Sequence, residues 1–254
     1  MKKKFYIGIL LSIALLTSAC GSAASAAGTS TPAAASTSAP AATQTSAGLG
    51  LNAAPWQNGS TASYEWFGDK SGAQIGTSQY SFALKNNIWT ISDQDKIAEL
   101  NQTVEMMVNA KTLEPIGEKK TIKTANTNAD ITTTYKNSKL DISAVVNGKT
   151  SNASIDVPSN AIDNDQLLMS LRALPFAQGY KASYVLIVAQ NALKINTTVT
   201  VLSQEKIDVP AGSFEAWHVE IQAGQSKQNA WYQVAAPHAL VKYDNATNNM
   251  VLNK

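Results

Sequence analysis

Leu100-Asn101-Gln102-Thr103-Val104-Glu105-Met106-Met107-Val108 is the stretch on which the fold class turns. Leu100, Gln102, Val104, Met106 and Val108 fall on one side of an extended chain and are mostly apolar. Glu99, Asn101, Thr103 and Glu105 fall on the other. A period of two belongs to a β-strand with one buried face, not to a helix.

The same period recurs on both sides of this stretch. Tyr80, Phe82 and Leu84 alternate with Gln79, Ser81 and Ala83, and Ile131, Thr133 and Tyr135 with Asp130, Thr132 and Thr134. Leu140, Ile142, Ala144 and Val146 alternate with Lys139, Asp141, Ser143 and Val145. Ile195, Thr197, Val199 and Val201 continue the pattern, and Trp217, Val219 and Ile221 share a face. Ser183 to Ala189 is apolar after its first residue, as in a strand buried on both sides. Asn147-Gly148 joins two alternating runs and predicts a tight hairpin, with Asn137-Ser138 a second candidate. Glu114-Pro115 and Pro210-Ala211-Gly212 mark further breaks.

One segment has the helical period instead. Leu167, Leu168, Leu171 and Leu174 recur at helical spacing, Asp163 with Gln166 resembles a capping box, and Pro175 ends the run. This short helix is expected to lay its leucines on the sheet. Roughly ten to twelve strands exceed what an open sheet holds comfortably without curling. The fold class is therefore mainly β: an antiparallel, strongly curved sheet or partly closed barrel, with one short helix packed on it.

The start of the chain reads differently. Lys2, Lys3 and Lys4 precede an apolar run from Phe5 to Leu16, and small residues Thr17, Ser18 and Ala19 lead to Cys20. That is the layout of a secretory signal peptide, too short for a comfortable membrane span of ~20 residues. Leu16-Thr17-Ser18-Ala19-Cys20 resembles the lipobox of bacterial lipoproteins, with Thr17 where leucine is usual. The resemblance implies cleavage before Cys20 and a lipid anchor on its sulfur. Cys20 is the only cysteine, so disulfide, zinc-cysteine and thiol-nucleophile chemistry have no residues to use. A pair of acyl chains anchors stably, at ~0.8 kcal/mol per buried methylene.

Gly21 to Gly59 holds no Lys, Arg, Asp or Glu and is mostly Ala, Ser, Thr, Gly and Pro. Such composition does not offset ordering entropy and predicts a disordered tether. As a random coil it would span on the order of 35 Å. The expected division is 1–19 signal peptide, 20–59 lipidated cysteine and tether, and 60–254 a β-rich domain. Removing the three signal lysines leaves 17 basic against 18 acidic residues, from 20 and 18 in the whole chain. A near-neutral mature chain gives no charge-based reason to expect nucleic acid as a partner.

The search for chemistry returns little. The two histidines, His218 and His238, lie apart in sequence, and a lone strand histidine is ordinarily a packing or surface residue. A two-histidine metal site would need a carboxylate to complete it. Asp163-Asn164-Asp165 and Asp93-Gln94-Asp95 place hard oxygens two apart, as at the start of a calcium loop, but the glycine and glutamate of that loop do not follow. Capping and turn formation are the expected roles. Arg172 is the only arginine and suits sheltered ion pairing or carbonyl binding. The tryptophans Trp66, Trp89, Trp217 and Trp231 are expected to fill the core, or to line an apolar pocket in a curved sheet.

Asp208 to Val219, carrying Val209-Pro210-Ala211-Gly212-Ser213-Phe214, resembles the strand-turn-strand of the bacterial DUF3108-like envelope proteins. Leu167 to Pro175 with Arg172 resembles their leucine-rich helix. Trp231-Tyr232, Pro237 and Leu240-Val241-Lys242-Tyr243 resemble their closing hairpin, although Gln233 and Ala235 stand where that family's hairpin has serine and aspartate. The resemblance implies an exported, β-rich, non-enzymatic domain. The expectation is thus a lipid-anchored protein on the extracytoplasmic face of the cell membrane, with no cofactor, no catalytic residue and no metal ligand. The function expected is a binding module whose curved sheet holds an apolar or amphipathic ligand such as lipid; the alternative is a structural or interaction protein of the cell envelope, with a filled core and no small ligand, that meets an envelope protein.

Overall fold

A computed structural model describes residues 48–68 and 71–253. Cys20, the signal and most of the tether lie outside the described residues. The strands in chain order are β1 (Thr61–Gly68), β2 (Gln74–Lys85), β3 (Ile88–Ile97), β4 (Leu100–Asn109) and β5 (Pro115–Lys123). They continue with β6 (Asn128–Lys136), β7 (Lys139–Val146), β8 (Lys149–Asp156) and β9 (Ala161–Asp163). The helix α1 (Asn164–Ser170) follows, prolonged by a 3-10 turn at Leu171–Ala173. Then come β10 (Lys181–Val188), β11 (Leu193–Val209), β12 (Gly212–Ala223), β13 (Ser226–Gln233), β14 (Leu240–Asp244) and β15 (Asn248–Leu252).

All 15 strands form one sheet, in the order β8-β7-β6-β5-β4-β3-β2-β1-β15-β14-β13-β12-β11-β10-β9. The chain therefore runs outward from β1 to β8 in one arm and returns from β9 to β15, which closes on β1. The described residues hold more strands than the ten to twelve expected, because short or internally polar strands lack clear alternation. The sheet curves strongly and does not close: β8 and β9 are its two ends. Every pairing is antiparallel except β9 with β10. That exception follows from connectivity, since α1 carries the chain from β9 across to β10 and a crossover makes neighbours parallel.

Local chemistry sets the hairpins. Asn86-Asn87, Asn137-Ser138 and Asn147-Gly148 all have positive φ at both positions, between 50° and 77°. This is the mirror-image turn that matches strand twist, and asparagine and glycine tolerate it.

Both arms of the sheet face one core. Tyr64, Phe82, Ile91, Met106, Tyr184, Val199, Ile221 and Tyr232 belong to it, together with Leu167, Met169, Leu171 and Leu174 of the helical segment. The helix does more than lie on the sheet. From Gln166 to Leu174 every residue is buried except the half-buried Leu168, so the segment fills the space that the curved sheet encloses. A helix buried on all sides is one inside a core. The expected capping box forms by half: Asp163 caps through the Asp165 N–H, while Gln166 turns away to Leu113 O and Ser170 Oγ.

The chain packs from its first described residues. Leu49 and Trp56 are buried, although composition places both in the tether. The Trp56 indole donates to Met169 O and stacks on Phe82 at 5.3 Å. Asn52 N–H donates to Ala173 O at 2.8 Å and Tyr180 to Leu49 O at 2.6 Å. Residues 49–56 thus strap the helical plug.

The open ends of the sheet meet through side chains. Ile131, Leu140, Ile142 and Ala144 of β6 and β7 pack against Ala161, Ile187 and Ala189. An open groove of about 550 Å³ runs along this seam, lined by Ser138, Val157, Pro158, Val185, Lys194 and neighbours.

Candidate functional site: a charged cluster inside the sheet

Glu118 and Lys120 occupy inner positions of β5, where alternation would place apolar residues, and both are nearly inaccessible at 1% and 5%. Register brings them beside Met106 and Val104 on β4, and beside Thr133 and Ile131 on β6. The plug completes the set. Asp163 ends β9, and Asp165 sits in the first turn of α1.

Lys120 Nζ donates to Asp165 and to Gln190 Oε1, the latter at 2.9 Å, and lies 4.0 Å from Glu118. Tyr135 donates to Asp163. Oxygens of Glu118, Asp163 and Asp165 all lie within 4.8 Å of one another. A second acidic pair adjoins them: Asp95 accepts from Ser78 and from Gln102, and Ser78 Oγ in turn accepts from Trp66. Asp93 is buried on the same strand.

Burial and like charge govern the protonation of this cluster. Burial, with Asp165 next to it, pushes Glu118 up to about 10 against the pull of Lys120. Burial and Asp165 push Asp163 up to about 7. Asp93 rises well above the carboxylate range through burial and its neighbour Asp95, and burial raises Asp95 also. Burial resists charge on Asp165, yet Lys120 and the hydrogen bonds around it hold its carboxyl below the usual value. Burial opposes the Lys120 charge, and Asp165 with Glu118 more than offsets it. Lys120 therefore stays an ammonium and is no nucleophile, while Glu118 holds a proton at neutral pH. A buried charge is tolerable only when paired and hydrogen-bonded, and Lys120 with Asp165 meets that condition.

The residues singled out from sequence fall in separate places. Asp163 and Asp165 join the cluster, and Asp93 and Asp95 border it. His218 lies on the outer face, with Nδ1 2.9 Å from Glu205 and Nε2 2.9 Å from Asn229, stacked on Trp231 at 4.7 Å. His238 packs on Phe176 at 4.8 Å and contacts Gln233 O. The two histidines thus have different partners and form no shared site. Arg172 donates to His238 O at 3.2 Å and Pro237 O at 3.1 Å over the Phe82 ring, so of the two expected roles, ion pairing and carbonyl binding, it takes the second. Trp89 belongs to the buried core, with Trp66 and Trp217 packed against it, while Trp231 lies outside with Ala216 and Val241.

Sequence reasoning passed over Glu118, Lys120, Tyr135 and Gln190. One signal was available: Glu118, Lys120 and Ile122 share a face opposite Lys119, Thr121 and Lys123, so a strand there must bury its charges or its lysines.

The family model described as "Protein of unknown function (DUF3108)" matches residues 60–248, most of the chain. The chain belongs to the DUF3108 family. The match spans the sheet from just before β1 into β15, with the plug and the Val209-Pro210-Ala211-Gly212 turn inside it. A crystal structure described as a β-barrel-like protein of the domain of unknown function DUF1849 from Brucella abortus is similar to this DUF3108 chain. Its TM-score is 0.52 at 12% identity, over 76% of this chain and 93% of its own. At that identity the likeness is one of fold. No curated protein matches the chain.

Proposed function

We propose that this DUF3108 protein is a lipid-anchored, extracytoplasmic envelope protein that acts without catalysis, by contact with another protein through its outer surface. The observation that carries the reading is the plug. The volume inside the curved sheet is taken by Gln166 to Leu174 together with large side chains such as Tyr64, Tyr184, Tyr232 and Met106. An apolar ligand in that volume would have to displace a helix strapped by Trp56 and Asn52.

The sheet end at β8 supports the contact role. It is eight residues long, keeps its register with β7 throughout, and has no proline and no charge between Lys149 and Asp156. Sheet ends normally carry such protections against strand addition, and this one lacks them. The anchor rests on the lipobox-like Leu16 to Cys20. Among the described residues no helix is long and apolar enough to cross a membrane.

Photocrosslinkers placed in cells at Asn152 and Ser154 of β8, and at Ser143 of β7 as a control, test this. The expected outcome is one defined envelope protein captured from β8 and not from Ser143. Equal capture from all three positions, or none, removes the contact reading.

A further inference from the structure

With its carboxyl groups ionised, the inner cluster carries more negative charge than its one ammonium offsets. Glu118, Asp163 and Asp165 bring three carboxyl groups together, and one ammonium, Lys120, faces them. With all four ionised the sum is −2, and the neighbouring Asp93 and Asp95 only add to it. Lys120 is already engaged with Asp165 and Gln190.

Two oxygens at this place lack any partner. Glu118 Oε2 has none although Glu118 is 1% exposed, and Thr133 Oγ1 has none at 2%. Thr133 stands directly opposite Glu118 across β5 and β6, on the inner face. A buried oxygen without a partner is costly and points to an occupant that supplies one.

The donor set defines that occupant. Three carboxylates and a hydroxyl are all hard oxygens, with no thiolate or imidazole among them. Hard oxygens select calcium-type and magnesium-type cations over zinc or copper. Magnesium keeps several waters in strict octahedral geometry, whereas calcium accepts an irregular shell of protein oxygens. We propose that Glu118, Asp163 and Asp165, with Thr133 at its border, bind a divalent cation of the calcium type beside Lys120. The ligands come from β5, β9 and α1, so the cation clamps the plug to the sheet.

The test uses the full chain, stripped with EDTA and then melted with added calcium or magnesium. Calcium at a hundredfold excess over its Kd should raise Tm by roughly 5–10 °C, as binding to the native state alone requires, and magnesium should raise it less. Terbium bound in calcium's place should emit when the nearby tyrosine and tryptophan side chains are excited. Glu118→Gln and Asp163→Asn should abolish both signals, while Asp141→Asn on the outer face of β7 keeps them. If either ligand variant fails to fold, elemental analysis of the unstripped chain decides: about one calcium per chain supports the site. No calcium in the unstripped chain and no shift in its Tm would overturn it. The cluster is then held by shared protons.

Discussion

Arg172 ties the plug to the loop before β14 by donating to two carbonyls at once. A lysine ammonium lacks the spaced planar fork that reaches both carbonyls, so Arg172→Lys is expected to lose one of the two charge-assisted hydrogen bonds and the stacking over Phe82. The expected loss is about 1–3 kcal/mol in urea unfolding, with the slope unchanged. The role was legible because an isolated arginine among lysines suggests a fork put to use. Glu118 makes a different case. Its carboxyl in the fold is raised to about 10, far above its value in the unfolded chain. A raised carboxyl favours the fold at low pH, and that contribution fades as pH climbs from about 4.3 toward 10. Asp163, raised to about 7, does the same over a lower window. In chelator, Tm is therefore expected to fall from pH 5 to pH 9, and Glu118→Gln to flatten the part above pH 7. A Tm that rises over this range contradicts the assignment. The alternation of β5 signalled buried charge but not its partners, because Glu118 and Asp163 meet only after the chain has completed β6, β7 and β8.

Among elements, the strands of plain alternation were the legible ones. β4, β6 and β7 place mostly apolar or small residues inward at every second position, and the turns on either side of β7 carry Asn137-Ser138 and Asn147-Gly148. β5 escaped because its inner face carries Glu118 and Lys120, which break the hydrophobic pattern while keeping the geometry. The plug was legible as a helix but not as a buried one, since leucines at helical spacing say which side is apolar and not whether the other side meets water. Its burial makes a prediction. Leu171 is fully buried, and Leu171→Ala should cost about 2–5 kcal/mol and open a cavity inside the sheet. β8 makes another. The two-residue turn at Asn147-Gly148 makes Val146 and Lys149 a hydrogen-bonded pair, so Ala153 donates to β7 and Asn152 points its N–H away from the sheet. Asn152→Pro should leave Tm nearly unchanged and abolish capture at β8, whereas Ala153→Pro should lower Tm by removing a ladder bond. Equal losses of stability would show the register to be wrong.

At the scale of the molecule, the chain is an open spiral of strands around a helix rather than a closed barrel around a cavity. Curvature follows from the number of strands, each twisted against the next, and openness from the chain's order. β8 and β9 are consecutive yet sit at opposite ends of the sheet, because the four-residue link from Val157 to Asn160 crosses the seam instead of turning a hairpin. That crossing could not be read from composition, since Val157-Pro158-Ser159-Asn160 looks like any polar turn. A spiral filled by its own helix, on the proposed anchor at Cys20, would carry its surface and not a cargo. The native mass of the protein, extracted from membranes in mild detergent, tests this most directly. The account predicts a chain beginning at Cys20 with its covalent acyl groups and no lipid-sized adduct. A stoichiometric, non-covalent adduct of lipid size that detergent does not exchange would contradict it, for it would need room that Leu167, Met169, Leu171 and Leu174 now fill.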